Sequence, residues 1–343
     1  MLDFAAIIAK LSIGEFLTLE EAETAFDILM QGQADAAQTA SFLTALSVRG
    51  ETVPEILGGA KAMRARADMI EAPDTALDIV GTGGSGLDTY NVSTAAAFIA
   101  SAAGVQVAKH GNRAASSKSG AADVLEALGA NLDISFDHVQ KALYETGFTF
   151  LSARAHHKAM RHVAPVRSSL KFKTIFNLLG PLSSPAQAKR QLLGVFDRKW
   201  VLPIANVLKE LGSIHVMVVH GSDGMDEITL SGPTYVAELK NGEITEYEIS
   251  PADLGLPVTP LEDLLGGDAQ YNANAITQMF DGQKGPFRDI VLANAGAGLM
   301  IGGKADTIQD GIALAARLID EGHAKNTLQK WVNFTNDYKA ETK

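Results

Sequence analysis

The chain has 343 residues, enough for two domains that each bury a core. At 46% hydrophobic and 20% charged it has an ordinary soluble composition, and no apolar run approaches the roughly 18 residues of a membrane span. The complete lack of cysteine removes disulfides, thiolate metal sites and cysteine nucleophiles, and a net charge of −11 argues against a dedicated nucleic-acid binder.

The N-terminus MLDFAAIIAKL carries an early acid and no A-x-A site, so it does not read as a signal peptide, and a cytoplasmic location fits. Residues 1 to about 68 read as helical. Three capping boxes mark helix starts: Thr18 with Glu21, Asp35 with Gln38, and Thr52 with Glu55, the last followed by Pro54 in a first turn. MIEAPDTA, around Pro73, reads as a linker.

From Leu77 short β-rich runs alternate with alanine-rich helices. LDIV (77–80) is followed by a helix starting near Ser93 or Thr94, a strand Val105 to Ala108, and a helix over roughly 119–129. FTFLSA, IHVMVVHG and DIVLANAG read as later strands, and YVAELKNGEITEYEIS as a hairpin about Asn241-Gly242. A basic, helical stretch, 155–185, interrupts the alternation. The expected fold is α/β: a small all-helical domain plus a larger α/β domain with a central mostly parallel sheet.

GTGGSG (81–86) matches the dinucleotide pattern G-x-G-x-x-G, but that pattern needs a helix directly after the loop and an acid about 20 residues on. Here LDTYNVST intervenes, and the next strand ends in Lys109 and His110. A cation in that place suits phosphate. KHGNRAASSKSG then gathers Lys109, His110, Asn112, Arg113, Ser116, Ser117 and Ser119 before a helix, a second anion loop. Two such loops after successive parallel strands face one pocket, and a sugar with a phosphate at one end and a pyrophosphate at the other would fit.

HGSDGMDEIT supplies Asp223, Asp226 and Glu227, hard oxygen donors suited to magnesium shared with substrate phosphates. The basic stretch ARAHHKAMRHVAPVRSSLKFKTIFN holds Arg154, His156, His157, Lys158, Arg161, His162, Arg167, Lys171 and Lys173. An arginine there could pair bidentately with a small carboxylate, but spacing does not say which one.

These stretches together resemble the anthranilate phosphoribosyltransferases, which act at the second step of tryptophan biosynthesis from chorismate. GTGG…TYNVST, VAKHGNR, SGAADVLEALG, TIFNLLGPL, HGSDGMDEIT and DIVLANAGAGLMIGGKAD fall in that family's order across nearly the whole chain. The resemblance implies a helical domain over 1–70, joined by a returning segment at about 160–185, and an α/β domain over 74–343. It implies phosphoribosyl pyrophosphate (PRPP) and anthranilate as substrates, with about two magnesium ions, and a homodimer through the helical domain, without nucleic acid or membrane partners. By the same resemblance PRPP would be held by Gly81, Thr82, Gly83, Gly84, Thr89, Asn91, Ser93, Thr94, Lys109, Ser117 and Ser119. Anthranilate would meet Gly81, His110, Asn112, His157, Arg167 and Pro181, and the metal Ser93, Asp226 and Glu227. No acid–base dyad is implied; Lys109 and Arg167 would act by electrostatics and positioning. The chain departs from the family's pattern at Ser85, where an acid is common, and at Ala121, Lys158, Lys171 and Lys173. Pyrimidine nucleoside phosphorylases share the architecture but need neither the acidic pair nor a carboxylate-binding arginine. A nucleic-acid-binding paralogue would be expected to have lost the substrate residues and gained a basic face.

Overall fold

A computed structural model describes residues 3–114 and 117–338, so Ser116 of the second anion loop lies outside the described residues. Four helices come first: α1 (Phe4–Ser12), α2 (Leu19–Met30), α3 (Ala36–Arg49) and α4 (Val53–Ala65). Two of the boxes form in full. Thr18 Oγ1 accepts the Glu21 N–H at 3.2 Å while Glu21 Oε2 accepts the Thr18 N–H at 2.8 Å, and Asp35 and Gln38 exchange the same bonds. The third differs. Glu55 accepts the Thr52 N–H at 2.9 Å, but the Thr52 hydroxyl donates to that carboxylate at 2.8 Å and caps nothing. Glu55 is buried and also takes the Leu17 N–H and the Arg49 guanidinium, so tertiary demand outcompetes the cap.

The remaining elements are β1 (Leu77–Gly81), α5 (Val92–Ala102), β2 (Val107–Gly111), α6 (Ala121–Ala127), α7 (Phe136–Thr146), β3 (Phe148–Ser152), α8 (Ala153–His156), α9 (Ala164–Leu170), α10 (Phe176–Leu182), β4 (Arg190–Gly194), α11 (Val201–Glu210), β5 (His215–Gly221), β6 (Thr234–Lys240), β7 (Glu243–Ile249), α12 (Ala269–Phe280), α13 (Pro286–Ile301), α14 (Ile308–Asp320) and α15 (His323–Asn336). They build one sheet in the order β3-β2-β1-β4-β5-β6-β7, parallel from β3 to β5 and antiparallel through β6 and β7. Helices cover both faces, which is why β1 and β5 read as nearly continuous apolar runs. The hairpin turns at Asn241 and Gly242, both with positive φ (54° and 79°), as a two-residue turn requires.

Three sequence expectations change. The strand placed at Val105 to Ala108 is β2, two residues later, so Lys109 and His110 lie inside it. DIVLANAG is not a strand but part of α13, a helix buried on nearly every side. β4, in RQLLG, went unread.

The helical core does not stop at the linker. Phe26 packs edge-on against both Phe42 and Phe176, with ring centroids 5.4 and 5.8 Å away, so α10 returns to the helices. The same apolar cluster continues through Val80, Leu193, Val216 and Val218 on one face of the sheet. Truncating Phe26 to alanine should cost about 3–5 kcal/mol.

Candidate active site

β1 sits at the switch point of the sheet, with β2 on one side and β4 on the other, and its carboxyl end opens into GTGGSG. Gly83 and Gly84 have φ of 66° and 77°, a left-handed backbone that glycine adopts without strain. The loop does not start a helix: it runs on to an antiparallel bridge between Thr89 and Leu265, and α5 begins at Val92. The acidic turn braces it. Asp226 Oδ2 accepts the Gly83 N–H at 2.8 Å, and a Cβ on Gly194 would lie 1.6 Å from the Asp226 carbonyl oxygen. Thr82 donates its N–H to the Gly194 carbonyl and accepts the Phe196 N–H on its hydroxyl.

Lys109 is fully buried beneath this loop. Its ammonium donates to the Ile79 carbonyl at 2.6 Å and to Ser93 Oγ at 3.3 Å. Burial lowers it to about 8, against the opposing pull of Asp78 and Glu227. Asp78, also buried, accepts the His110 N–H at 3.1 Å, and burial raises it to about 7. An acid inside the apolar run LDIV carried no signal of this role.

Glu227 Oε1 accepts the Ser93 N–H at 3.1 Å, while its Oε2 is buried with no partner among the described residues. Burial and then the neighbouring Asp226 push Glu227 well above the usual carboxylate range, and burial raises Asp226 as well. Two desolvated carboxylates, one with an unsatisfied oxygen, fit a divalent cation. Among the described residues no group of three or more His, Asp or Glu could hold a metal alone. Asp223 is not part of this pair: it accepts the hydroxyls of Thr229 and Ser231 and holds its own turn.

The second loop is tied to the first. Ser119 Oγ donates to Asn91 Oδ1 at 3.0 Å, and the Lys118 N–H donates to Asp88. Asp123 closes the loop by accepting the N–H groups of Ala114 and Gly120. Arg113 lines the same cavity as the loop, with its guanidinium paired to Asp123 and Glu126.

The segment between β3 and β4 supplies a further part of the lining. His110 and His157 meet edge to face, 5.3 Å apart, and burial holds both neutral, His157 at about 4 and His110 well below its ordinary range. The Nε2 of each is buried without a partner among the described residues. Arg167, on α9, lies over the Phe176 ring at 5.1 Å and makes no ion pair among the described residues; burial lowers its pKa. Pro181 is buried and its carbonyl accepts from Gln191.

All the residues assigned by resemblance, Gly81, Thr82, Gly83, Gly84, Thr89, Asn91, Ser93, Thr94, Lys109, His110, Asn112, Ser117, Ser119, His157, Arg167, Pro181, Asp226 and Glu227, line one cavity of about 840 Å³. Arg154, Lys158 and Arg161 border it too, whereas His156, His162 and Lys171 do not. Met63 of α4 and Phe176 complete the wall; as ordinary core residues by spacing, they were not legible in the sequence. The cavity brings together the glycine loop, one ammonium, two carboxylates, two neutral imidazoles and a guanidinium that makes no ion pair among the described residues.

The model of the glycosyl transferase family α/β domain matches residues 73–325, and that of the family's helical bundle domain matches 5–67. The chain is 56% identical to the anthranilate phosphoribosyltransferase of Parvibaculum lavamentivorans over 98% of each. It superposes on the Thermus thermophilus anthranilate phosphoribosyltransferase with a TM-score of 0.91 at 45% identity, covering 96% of this chain and 99% of that one. On the Saccharomyces cerevisiae enzyme solved with PRPP and Mg the TM-score is 0.90 at 27% identity, over 98% of each. This chain therefore belongs to the anthranilate phosphoribosyltransferases, pentosyltransferases built from that helical bundle and α/β pair.

Proposed function

We propose that this cavity transfers the phosphoribosyl group of PRPP to the amine of anthranilate. The amine nitrogen bonds to the anomeric carbon, the carbon–oxygen bond to pyrophosphate breaks with its electron pair leaving on pyrophosphate, and the amine releases a proton. The observation that carries this reading is that one cavity is lined by the glycine loop, the Lys109 ammonium, the Asp226–Glu227 pair and the Arg167 guanidinium.

The glycine loop and Lys109 meet the pyrophosphate, and Thr89, Asn91, Ser117 and Ser119 the rest of the donor. They are preorganised where negative charge develops, so they stabilise departure without reorganising. Magnesium, when bound, is held by Ser93, Asp226 and Glu227 and neutralises charge on the leaving group. Arg167 anchors the anthranilate carboxylate and orients the amine. An imidazole held at about 4, as His157 is, makes a poor base and serves as an acceptor that aims the amine. An aromatic amine is neutral and nucleophilic at pH 7, so no strong base is required.

The reading extends to the assembly: a helical unit over 1–70 with its return at about 160–185, an α/β unit over 74–343, about two magnesium ions per donor, and a cytoplasmic homodimer paired through the helical unit. No described helix is long and apolar enough to cross a membrane. Loss of anthranilate fluorescence with PRPP and magnesium tests the site. Arg167→Ala should raise the anthranilate KM about a hundredfold and leave the PRPP KM in place. Equal damage to both KM values would sink the anchoring role.

A further inference from the structure

Asn272 lies on α12, is fully buried, and does not line the cavity. Its contacts nonetheless end there. The Gly267 N–H, which can only donate, binds Asn272 Oδ1 at 2.9 Å. That fixes the orientation of the Asn272 amide, so its Nδ2 donates to Asn91 Oδ1, also at 2.9 Å. Ser119 Oγ donates to the same oxygen at 3.0 Å, and Asn91 Nδ2 donates to the Ser119 carbonyl at 3.3 Å. Asn91 Oδ1 is thus filled by two donors, and the side of the amide left over is an N–H.

The support is built closely. Segment 264–267 straps the back of the donor loop: the Gly266 N–H donates to the Asp88 carbonyl at 2.7 Å beside the Thr89–Leu265 bridge. A Cβ on Gly266 would lie 2.6 Å from Asn272 Oδ1 and 2.8 Å from the Thr89 carbonyl oxygen, so the strap reaches this position because residue 266 is glycine.

We propose that Asn272 is a positioning residue for the sugar-phosphate donor: it locks the Asn91 amide so that an N–H, and not the carbonyl oxygen, faces the oxygen-rich donor. This rests on the reading that Asn91 binds PRPP. A carboxylate at 272 still accepts the Gly267 N–H but cannot donate to Asn91 Oδ1 and repels it, so Asn272→Asp replaces the donation by a repulsion, while Asn272→Ala removes the donation without adding charge.

Steady-state kinetics of the full chain test it, with PRPP and anthranilate varied in turn. Asn272→Asp and Asn272→Ala should each raise the PRPP KM about tenfold, with kcat and the anthranilate KM within about twofold, the pattern of lost donor binding. The deciding measurement is the cycle of Asn91→Ala, Asn272→Ala and the double variant. If Asn272 acts through Asn91, the double variant is no worse for PRPP than Asn91→Ala alone. Multiplying effects, or a PRPP KM untouched in both Asn272 variants, would overturn the proposal while leaving Asn91 a donor residue. An Asn91→Ala enzyme with normal PRPP use would instead overturn the donor role of Asn91 and the proposal with it. The alanine cycle stands if the buried aspartate prevents folding.

Discussion

The Asp226 carboxylate accepts the backbone N–H of Gly83 at 2.8 Å, across 143 positions of sequence. One oxygen of the acidic pair is therefore already spent holding the glycine loop. Asp226→Asn keeps an acceptor for Gly83 but gives up a charge. It should fold normally and lose about a hundredfold in kcat/KM for PRPP, with half-maximal activity moved to higher magnesium. A magnesium titration of initial rates checks this; an unmoved midpoint would remove Asp226 from the cation site.

Gly194→Ala tests the same junction from the other side. Its Cβ would meet the Asp226 carbonyl oxygen at 1.6 Å, backbone that cannot swing away as a flexible side chain could. The acidic turn must shift, at a cost of about 3 kcal/mol. A lower thermal midpoint should appear together with weakened PRPP use. Loss of stability with intact PRPP kinetics would mean that the turn and the donor loop move independently.

With Lys109 at the pyrophosphate as proposed, PRPP capture should be sensitive to alkali. Its ammonium, lowered to about 8 by burial, is needed charged, so kcat/KM for PRPP should fall as pH rises through about 8. Asp78 and Glu227 supply the negative charge that holds the proton there. In Asp78→Asn an oxygen remains for the His110 N–H but the charge is gone, so the alkaline limb should move to lower pH. A pH–rate profile with the limb in place would show that Asp78 does not support the ammonium. Stability runs the other way: between about 8 and about 10 the unfolded chain keeps the Lys109 proton and the folded chain releases it, so this residue's contribution grows with pH.

Lys171 ends α9 with φ of 56°, a left-handed cap that favours glycine. Lys171→Gly should raise stability by about 1 kcal/mol, read as a higher urea midpoint. Because Lys171 does not line the cavity, kinetics should be unchanged. An unchanged midpoint would show that contacts of the lysine offset its backbone strain.

The legible parts were those written in local chemistry. Thr18, Asp35 and the Asn241-Gly242 turn announce themselves because caps and tight turns depend on near neighbours. DIVLANAG misled because a short apolar run fits a buried strand and a buried helix alike. What decides is packing: Gly296 abuts Ile312 and Gly298 abuts Ile79, so α13 fits between α14 and β1. Motifs brought the donor residues together on paper, but the pairing of Arg113 with Glu126 and the diversion of Asp223 to Thr229 depend on partners the motifs do not name.

The strand order divides the two recognition tasks unevenly along the chain. On the proposed assignment, donor and metal contacts are scattered over the ends of β1, β2 and the turn after β5, which hydrogen bonds lock to one another. Under the same proposal the acceptor side takes Gly81, His110 and Asn112 from strand ends and the rest from a single excursion, residues 153–185, between β3 and β4. Change of donor demands concerted revision at three distant places, whereas change of acceptor can be written into one stretch. Divergence of this scaffold, in nature or by design, should conserve the phosphoribosyl half and experiment with the nucleophile.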